Sequence, residues 1–269
     1  MVFKYLKALF SYNRRESYLG ESLTIAAKSY QKAAEQGHAI SQYHLGLLYQ
    51  EGQDMRQDLT AAISWYQKAA EQGHVTSQYN LGLLYEDGKG IRRDLVTAFS
   101  WYQKAAEQGH LISQYHLGLL YEEGKGTSQD LTRAISWYQK AAKQGHVTSQ
   151  YHLGSLYEDG KGTSQDLTRA ISWYKKAAKQ GHVTSQYHLG LLYQEGKGVH
   201  QDLATAISWY QKAAEQDHTI AQYHLGSLYE EGNGVRQNKS QAKEWFGKAC
   251  DSGGQNGCDK YRILNEAGY

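Results

Sequence analysis

A chain of 269 residues with 29 basic and 27 acidic side chains carries a net charge of only +2, so it lacks the strong positive field that marks a nucleic-acid binder. No run approaches the roughly 18 consecutive apolar residues that a membrane-spanning helix needs. There is no proline, which leaves glycine to stop the helices.

The chain opens with MVFKYLKALF, in which Val2, Phe3, Leu6, Leu9 and Phe10 share a helical face. Lys4 and Lys7 interrupt it and no small-residue cleavage site follows, so it does not read as a signal peptide, and the default location is cytoplasmic. Residues 1–21 are expected to form an N-terminal capping segment over the exposed core of the first unit, with an interfacial membrane helix as the alternative.

From residue 22 the chain becomes periodic. His38, His74, His110, His146, His182 and His218 are spaced 36 residues apart, and so are Trp65, Trp101, Trp137, Trp173, Trp209 and Trp245. The Leu-Gly pairs that begin at Leu45 and Gly46 keep the same interval. A fixed period of this size marks a repeat array. Residues 22–257 are therefore expected to form one elongated array of about six repeats, closed by a C-terminal capping helix over 258–269.

Each unit reads as two helices. After Asp58, the residues Leu59, Ala62, Trp65, Tyr66, Ala69 and Ala70 recur at helical spacing, Asp58 is suited to N-cap the segment, and Gly73 ends it. A second, shorter helix is expected from about Val75 to Asp87, and the Gly-Lys-Gly at 88–90 turns the chain into the next unit. Neither helix alone can bury its apolar side, whereas stacked units can.

The unit LGLLYEDGKGIRRDLVTAFSWYQKAAEQGH combines Leu-Gly-x-x-Tyr, Gly-x-Gly, a capping Asp, Trp-Tyr-x-x-Ala-Ala and a terminal Gly. It resembles the Sel-one-like repeat, a longer relative of the tetratricopeptide repeat, over roughly residues 22 to 260. The resemblance implies an all-α, right-handed superhelical α/α solenoid, non-catalytic and without cofactor, that serves as a scaffold or adaptor for a protein or peptide partner. In bacteria such members often act in signalling or host interaction. Ser22, Asp54, Asp217 and Asn238 depart from the pattern, and Asp and Asn tolerate left-handed backbone better than most residues.

Projected at 100° per residue, the helix that follows each turn histidine puts Ser41, Leu45, Leu48 and Tyr49 toward the core and Tyr43, Leu47 and Gln50 on the opposite side. Later units place Tyr79, Leu83 and Glu86; Tyr115, Leu119 and Glu122; Tyr151, Ser155 and Glu158; Tyr187, Leu191 and Gln194; and Tyr223, Ser227 and Glu230 there. If these helices line the concave surface, as the resemblance implies, a ladder of six tyrosines with apolar and acidic neighbours is the candidate partner-binding site. The alternative is that each tyrosine packs mainly against the next repeat.

Acidic pairs such as Glu86/Asp87 and Glu158/Asp159 end these helices, and Lys89, Lys125 and Lys161 follow closely enough to offset them. A basic patch of Arg133, Lys140, Lys143, Arg169, Lys175, Lys176 and Lys179 falls on two adjacent units, where others carry Glu71, Glu107 and Glu215. It reads as a solvated face, or as a contact for an acidic protein or an anionic membrane surface in a membrane-linked adaptor.

Catalytic residues are not expected, because every nucleophile, base or carboxylate is copied once per unit, far from its copies. The GKGTS stretches at 124–128 and 160–164 lack the spacing of a phosphate-binding loop. Cys250 and Cys258 close one helix and open the next, a placement similar to that of bridged pairs in cysteine-rich secreted members of the family. A disulfide in an exported protein and two free thiols in a cytosolic one both remain open. The turn histidines are expected to satisfy free amides at the start of the next helix rather than to bind metal, because neighbouring turns stand too far apart to share an ion. The protein is expected to be a monomer.

Overall fold

The computed structural model describes residues 27–52 and 56–269, and these residues form helices and no strand. The expectations for residues 1–21, Ser22 and Asp54 lie outside the described residues. Residues 27–35 are helical. Thirteen further helices follow: α1 (Ala39–Glu51), α2 (Leu59–Glu71), α3 (Val75–Asp87), α4 (Leu95–Glu107), α5 (Leu111–Glu123), α6 (Leu131–Lys143), α7 (Val147–Asp159), α8 (Leu167–Lys179), α9 (Val183–Glu195), α10 (Leu203–Ala214), α11 (Thr219–Glu231), α12 (Lys239–Asp251) and α13 (Gln255–Glu266). From α1 to α12 a histidine-led helix alternates with one led by an aspartate, or by Asn238 at the last, which makes the fold an all-α solenoid of 36-residue helix pairs.

Two boundaries correct the sequence reading. The histidine-led helix is not the shorter one, since α2 and α3 both have 13 residues. The aspartate-led helix stops at Glu71 because the Gln72 amide turns back to the Ala69 and Ala70 carbonyls and Gly73 enters the left-handed region at φ 87°. The C-terminal helix starts at Gln255, not at 258, because Gly253 at φ 86° breaks α12 early and Gly254 becomes the N-cap. Asp217 is the only non-glycine with positive φ among the described residues, at 61°, and it takes the place of the turn glycine.

The caps behave as their chemistry requires. Asp58, Asp130, Asp166 and Asp202 each accept a hydrogen bond from the backbone amide three residues on, Asp94 accepts from Val96 and Thr97, and Asn238 accepts from Gln241.

A tyrosine packed against a glycine makes the core of each pair. Tyr66, Tyr102, Tyr174 and Tyr210 are fully buried, and each ring lies against the glycine of the preceding Leu-Gly. A Cβ on Gly46 would sit 2.7 Å from the Tyr66 ring, and one on Gly154 or Gly190 2.5 Å from Tyr174 or Tyr210. Only glycine leaves room for the ring, and burying a side chain of this size contributes about 1.5–3 kcal/mol. Phe246 occupies the same notch beside Gly226 in the last pair.

Glutamines, which the sequence gives no reason to place inside, are buried four residues before these glycines. Gln78 is 3% exposed; its Nε2 donates to the Ala70 carbonyl at 3.0 Å and its Oε1 accepts from Gln108 at 2.8 Å. Gln42, Gln150 and Gln186 repeat both bonds. Burial is tolerated because both ends of the amide are satisfied.

Contacts group the chain into two compact units that divide between Gln129 and Asp130, where the uniform period predicts one continuous array. The division falls in the loop between α5 and α6, inside a helix pair rather than between two pairs.

Candidate functional site

The turn histidines cap the helices they lead. The Ser77 amide donates to His74 Nδ1 at 3.2 Å, and the same bond joins Ser113 to His110, Ser149 to His146, Ser185 to His182 and Ala221 to His218. An amide can only donate, so Nδ1 must be unprotonated and the proton sits on Nε2. His38 makes no such cap bond, although its Nδ1 lies 3.1 Å from Ser41 Oγ. Burial pushes the pKa of His74, His110, His182 and His218 below the ordinary imidazole value.

The predicted ladder tyrosines rest on these imidazoles. Ring centroids are 4.7 Å apart for Tyr43 and His74, 4.8 Å for Tyr79 and His110, 4.8 Å for Tyr151 and His182, and 4.7 Å for Tyr187 and His218. Tyr43, Tyr79, Tyr115, Tyr151, Tyr187 and Tyr223 are all partly buried, as are Leu47, Leu83, Leu119 and Leu191. Tyr43 and Leu47 pack on the core that holds Tyr66, and Tyr79 and Leu83 pack on the core that holds Tyr102. Tyr43, Tyr79, Tyr151 and Tyr187 therefore each have one face held by the histidine of the next helix pair and part of the ring open to solvent. Of the projected core positions, Ser41 and Leu45 are buried in α1, whereas Leu48 and Tyr49 are only partly so.

The acidic members of the ladder are tied into the array. Tyr102 donates its hydroxyl to Glu86 at 2.5 Å and Tyr174 donates to Glu158 at 2.6 Å, while Gln50 and Gln194 accept from Tyr66 and Tyr210. A third group closes each set. His116 Nδ1 stands 3.6 Å from Glu86 and stacks on Tyr102 at 4.8 Å; His188 Nδ1 stands 3.2 Å from Glu158 and stacks on Tyr174 at 5.0 Å. Burial raises the Glu158 carboxyl, but the nearby His188 imidazole and the hydrogen bond from Tyr174 outweigh it and hold its pKa below the usual carboxylate value. Burial lowers the pKa of His116 although Glu86 opposes it. At the last junction Phe246 has no hydroxyl, and Lys260 of α13 donates to Glu230 at 2.8 Å instead. Sequence reasoning missed these sets. Position 260 continues the register of His188 and His224 at 36-residue steps, and that was the signal available.

On the aspartate-led helices, the tryptophan carries the lysine of the next turn over its ring, at 3.9 Å for Lys68, 4.0 Å for Lys104, 3.6 Å for Lys140 and 3.8 Å for Lys176. Lys140 and Lys176 thus belong to a device common to the repeats. Arg133 and Arg169 pair with Asp130 and Asp166 within their own helices' first turns, at 3.3 and 3.1 Å, and Lys143 and Lys179 stand exposed at the helix ends. The helix-end acids meet the loop lysines as expected: Lys89 with Asp87, Lys125 with Glu123 and Lys161 with Asp159. Cys250 and Cys258 are bridged, joining α12 to α13. Among the described residues no group of three or more His, Cys, Asp or Glu side chains could hold a metal ion, and no helix is long and apolar enough to cross a membrane.

The Sel1 repeat family model matches residues 25–38, 39–74, 75–110, 111–146, 147–182, 183–218 and 219–254. The chain is similar to c5321, a protective antigen of uropathogenic Escherichia coli strains with an SLR fold, at 37% identity and a TM-score of 0.84 over 89% of this chain. It spans about half of that protein, 51%. It is also similar to a Sel1 repeat protein from Oxalobacter formigenes, at 33% identity and a TM-score of 0.65, covering 88% of this chain and 97% of the other. No protein with a curated description matches it. Six full matches and one partial match, in register with the helix pairs, place the chain in the Sel1 repeat family.

Proposed function

We propose that the chain is a non-catalytic scaffold that binds a protein or peptide partner along the outer faces of its histidine-led helices. Sel1 repeats are generally protein-interaction scaffolds. The observation that carries the reading is the state of the tyrosines. Tyr43, Tyr79, Tyr151 and Tyr187 are each pinned by the imidazole that leads the next histidine-led helix, while part of each stays in solvent. A rigid, partly exposed aromatic loses little freedom when a partner covers it, so more of the contact energy appears as affinity.

The test replaces Leu83, Leu119 and Leu191 with Ser. Ser155 and Ser227 already occupy that position in other repeats, so the fold tolerates the change. A partner identified by affinity purification from the source organism should bind the purified triple variant at least about tenfold more weakly, the size expected when apolar anchors are lost. Undiminished affinity of the folded variant would remove this face from the reading.

The bridge between Cys250 and Cys258 supports an oxidising compartment rather than the cytoplasmic location expected from the sequence. A mass two daltons below that of the reduced chain, measured without reductant on protein from its own cell, would agree with export; the full reduced mass would return it to the cytoplasm.

A further inference from the structure

Within the second unit, α6 and α8 differ from the other aspartate-led helices at a few positions. Lys143 and Lys179 stand where other repeats have Glu71, Glu107, Glu215 and Asp251. Arg133 and Arg169 replace Ala61, Thr97, Thr205 and Gln241, and Lys175 replaces Gln67, Gln103, Gln139 and Gln211. The change is always from neutral or acidic to basic, so it alters charge while leaving the repeat's core residues as they are.

Two of these substitutions, Lys143 and Arg169, meet at one depression, where they join Lys176, a lysine present in every repeat. A groove of 370 Å³ is lined by Lys143 of α6, Tyr157 of α7, and Arg169, Trp173 and Lys176 of α8. Its aromatic part is Tyr157, 4% exposed, and the partly exposed Trp173. Three cations stand around it. The Lys176 ammonium lies 3.8 Å from the Trp173 ring centroid, the Arg169 guanidinium 5.6 Å from that of Tyr157, and Lys143 is exposed at the end of α6. Arg169 is held through Nε by Asp166 at 3.1 Å.

We infer that this groove is a docking surface for an acidic segment of a partner protein, one that places an apolar or aromatic side chain on Trp173 between flanking carboxylates. Charge complementarity selects the sign of the partner, and the recessed aromatic floor selects an extended chain with a side chain to insert. A lipid surface fits less well. The basic character is two helices wide, and the same helix-end position on α10 and α12 carries Glu215 and Asp251, which would set anions against anionic headgroups. The surface lies on the aspartate-led helices, so failure of the tyrosine face as a binding site would leave it standing.

The test uses the full chain and a fluorescein-labelled peptide of glutamates around one central phenylalanine. The comparison variant combines Lys143→Glu, Arg169→Thr, Lys175→Gln and Lys179→Glu, each the residue that other repeats carry at that position, so its fold is expected to be kept. The acidic peptide should bind saturably, weaken as salt rises, and lose about tenfold or more in affinity on the variant. Trp173→Ala should weaken the phenylalanine peptide more than an all-glutamate one. The inference is overturned if the variant binds as tightly as the parent, if a glutamine version of the peptide binds equally well, or if the chain binds phosphatidylserine vesicles and not the acidic peptide.

Discussion

Two junctions in the second unit solve the same problem with different parts. At one, Glu158 accepts from the Tyr174 hydroxyl and faces the imidazole of His188; at the other, Glu230 has only Phe246 beside it and accepts from the ammonium of Lys260. In both, an aromatic ring fills a glycine notch and a carboxylate at the notch edge must be satisfied. Between two repeats the set supplies an acidic acceptor, a hydroxyl and a titratable ring. Against the terminal helix, a permanent cation does the work alone. The comparison shows that the notch is the invariant part of the joint, whereas the polar set around it can be rebuilt.

Acid should separate the two junctions most, because it acts on many groups at once. Burial holds His110, His116, His182, His218 and His224 below the ordinary imidazole pKa. Folding therefore favours their neutral forms, so the stability they contribute is full above about pH 6.5 and lost as the pH falls below it. Protonation at Nδ1 would also set a donor against the capping amide. Hydrogen exchange at pH 7 and pH 5 should show protection falling in α9 and α11 before α13; a uniform loss would break the distinction.

The shared notch comes next. Gly154→Ala and Gly226→Ala each force a buried ring aside, since the new Cβ would lie 2.5 Å from Tyr174 or 2.6 Å from Phe246. Each should cost about 1–3 kcal/mol in denaturant unfolding, and a marked inequality between them would show that the two notches are not equivalent. Reduction of the Cys250–Cys258 bridge, which closes a loop of sequence separation 8, should cost up to about 2–3 kcal/mol, felt in α13.

The hydroxyl distinguishes the junctions directly. Tyr174→Phe takes a donor from the partly buried Glu158 and should cost about 1–2 kcal/mol, whereas Phe246→Tyr gives Glu230 a second donor and should be close to neutral. Equal effects would mean that the hydroxyl adds nothing at either place. Smallest is the pair itself. Lys260→Met should cost no more than about 1 kcal/mol, because the lysine keeps 37% of its side chain exposed. Lys260→His should move the acid sensitivity of the interior joints to α13.

The sequence carried the repeat period, the two-helix unit, the aspartate caps and the capping role of the histidines, because each follows from residues a few places apart along one helix. Gln78 was not legible. A polar amide at 3% exposure runs against composition rules, and its partners are Ala70 on α2 and Gln108, the C-cap of α4. The Leu-Gly pair was visible as a pattern, but its meaning lies in Tyr66, which reaches Gly46 only once the helices pack. Glu86 and Glu158 were read as groups facing a partner because projection around one helix places them outward. Tyr102 and Tyr174 reach them from the neighbouring helix.

The glutamine relay has a consequence for how such a chain changes length. Gln150 and Gln186 each donate to the helix pair before them and accept from the residue that follows the second helix of their own pair, Gln150 with Ala142 and Gln180 and Gln186 with Ala178 and Gln216. A 36-residue cassette duplicated or deleted in the gene therefore restores the same bonds at the new seam and leaves no group stranded. Only where the copy is imperfect does a scar remain. Ser252 stands where the next glutamine would be, and the buried Gln222 Oε1 has no hydrogen-bond partner among the described residues.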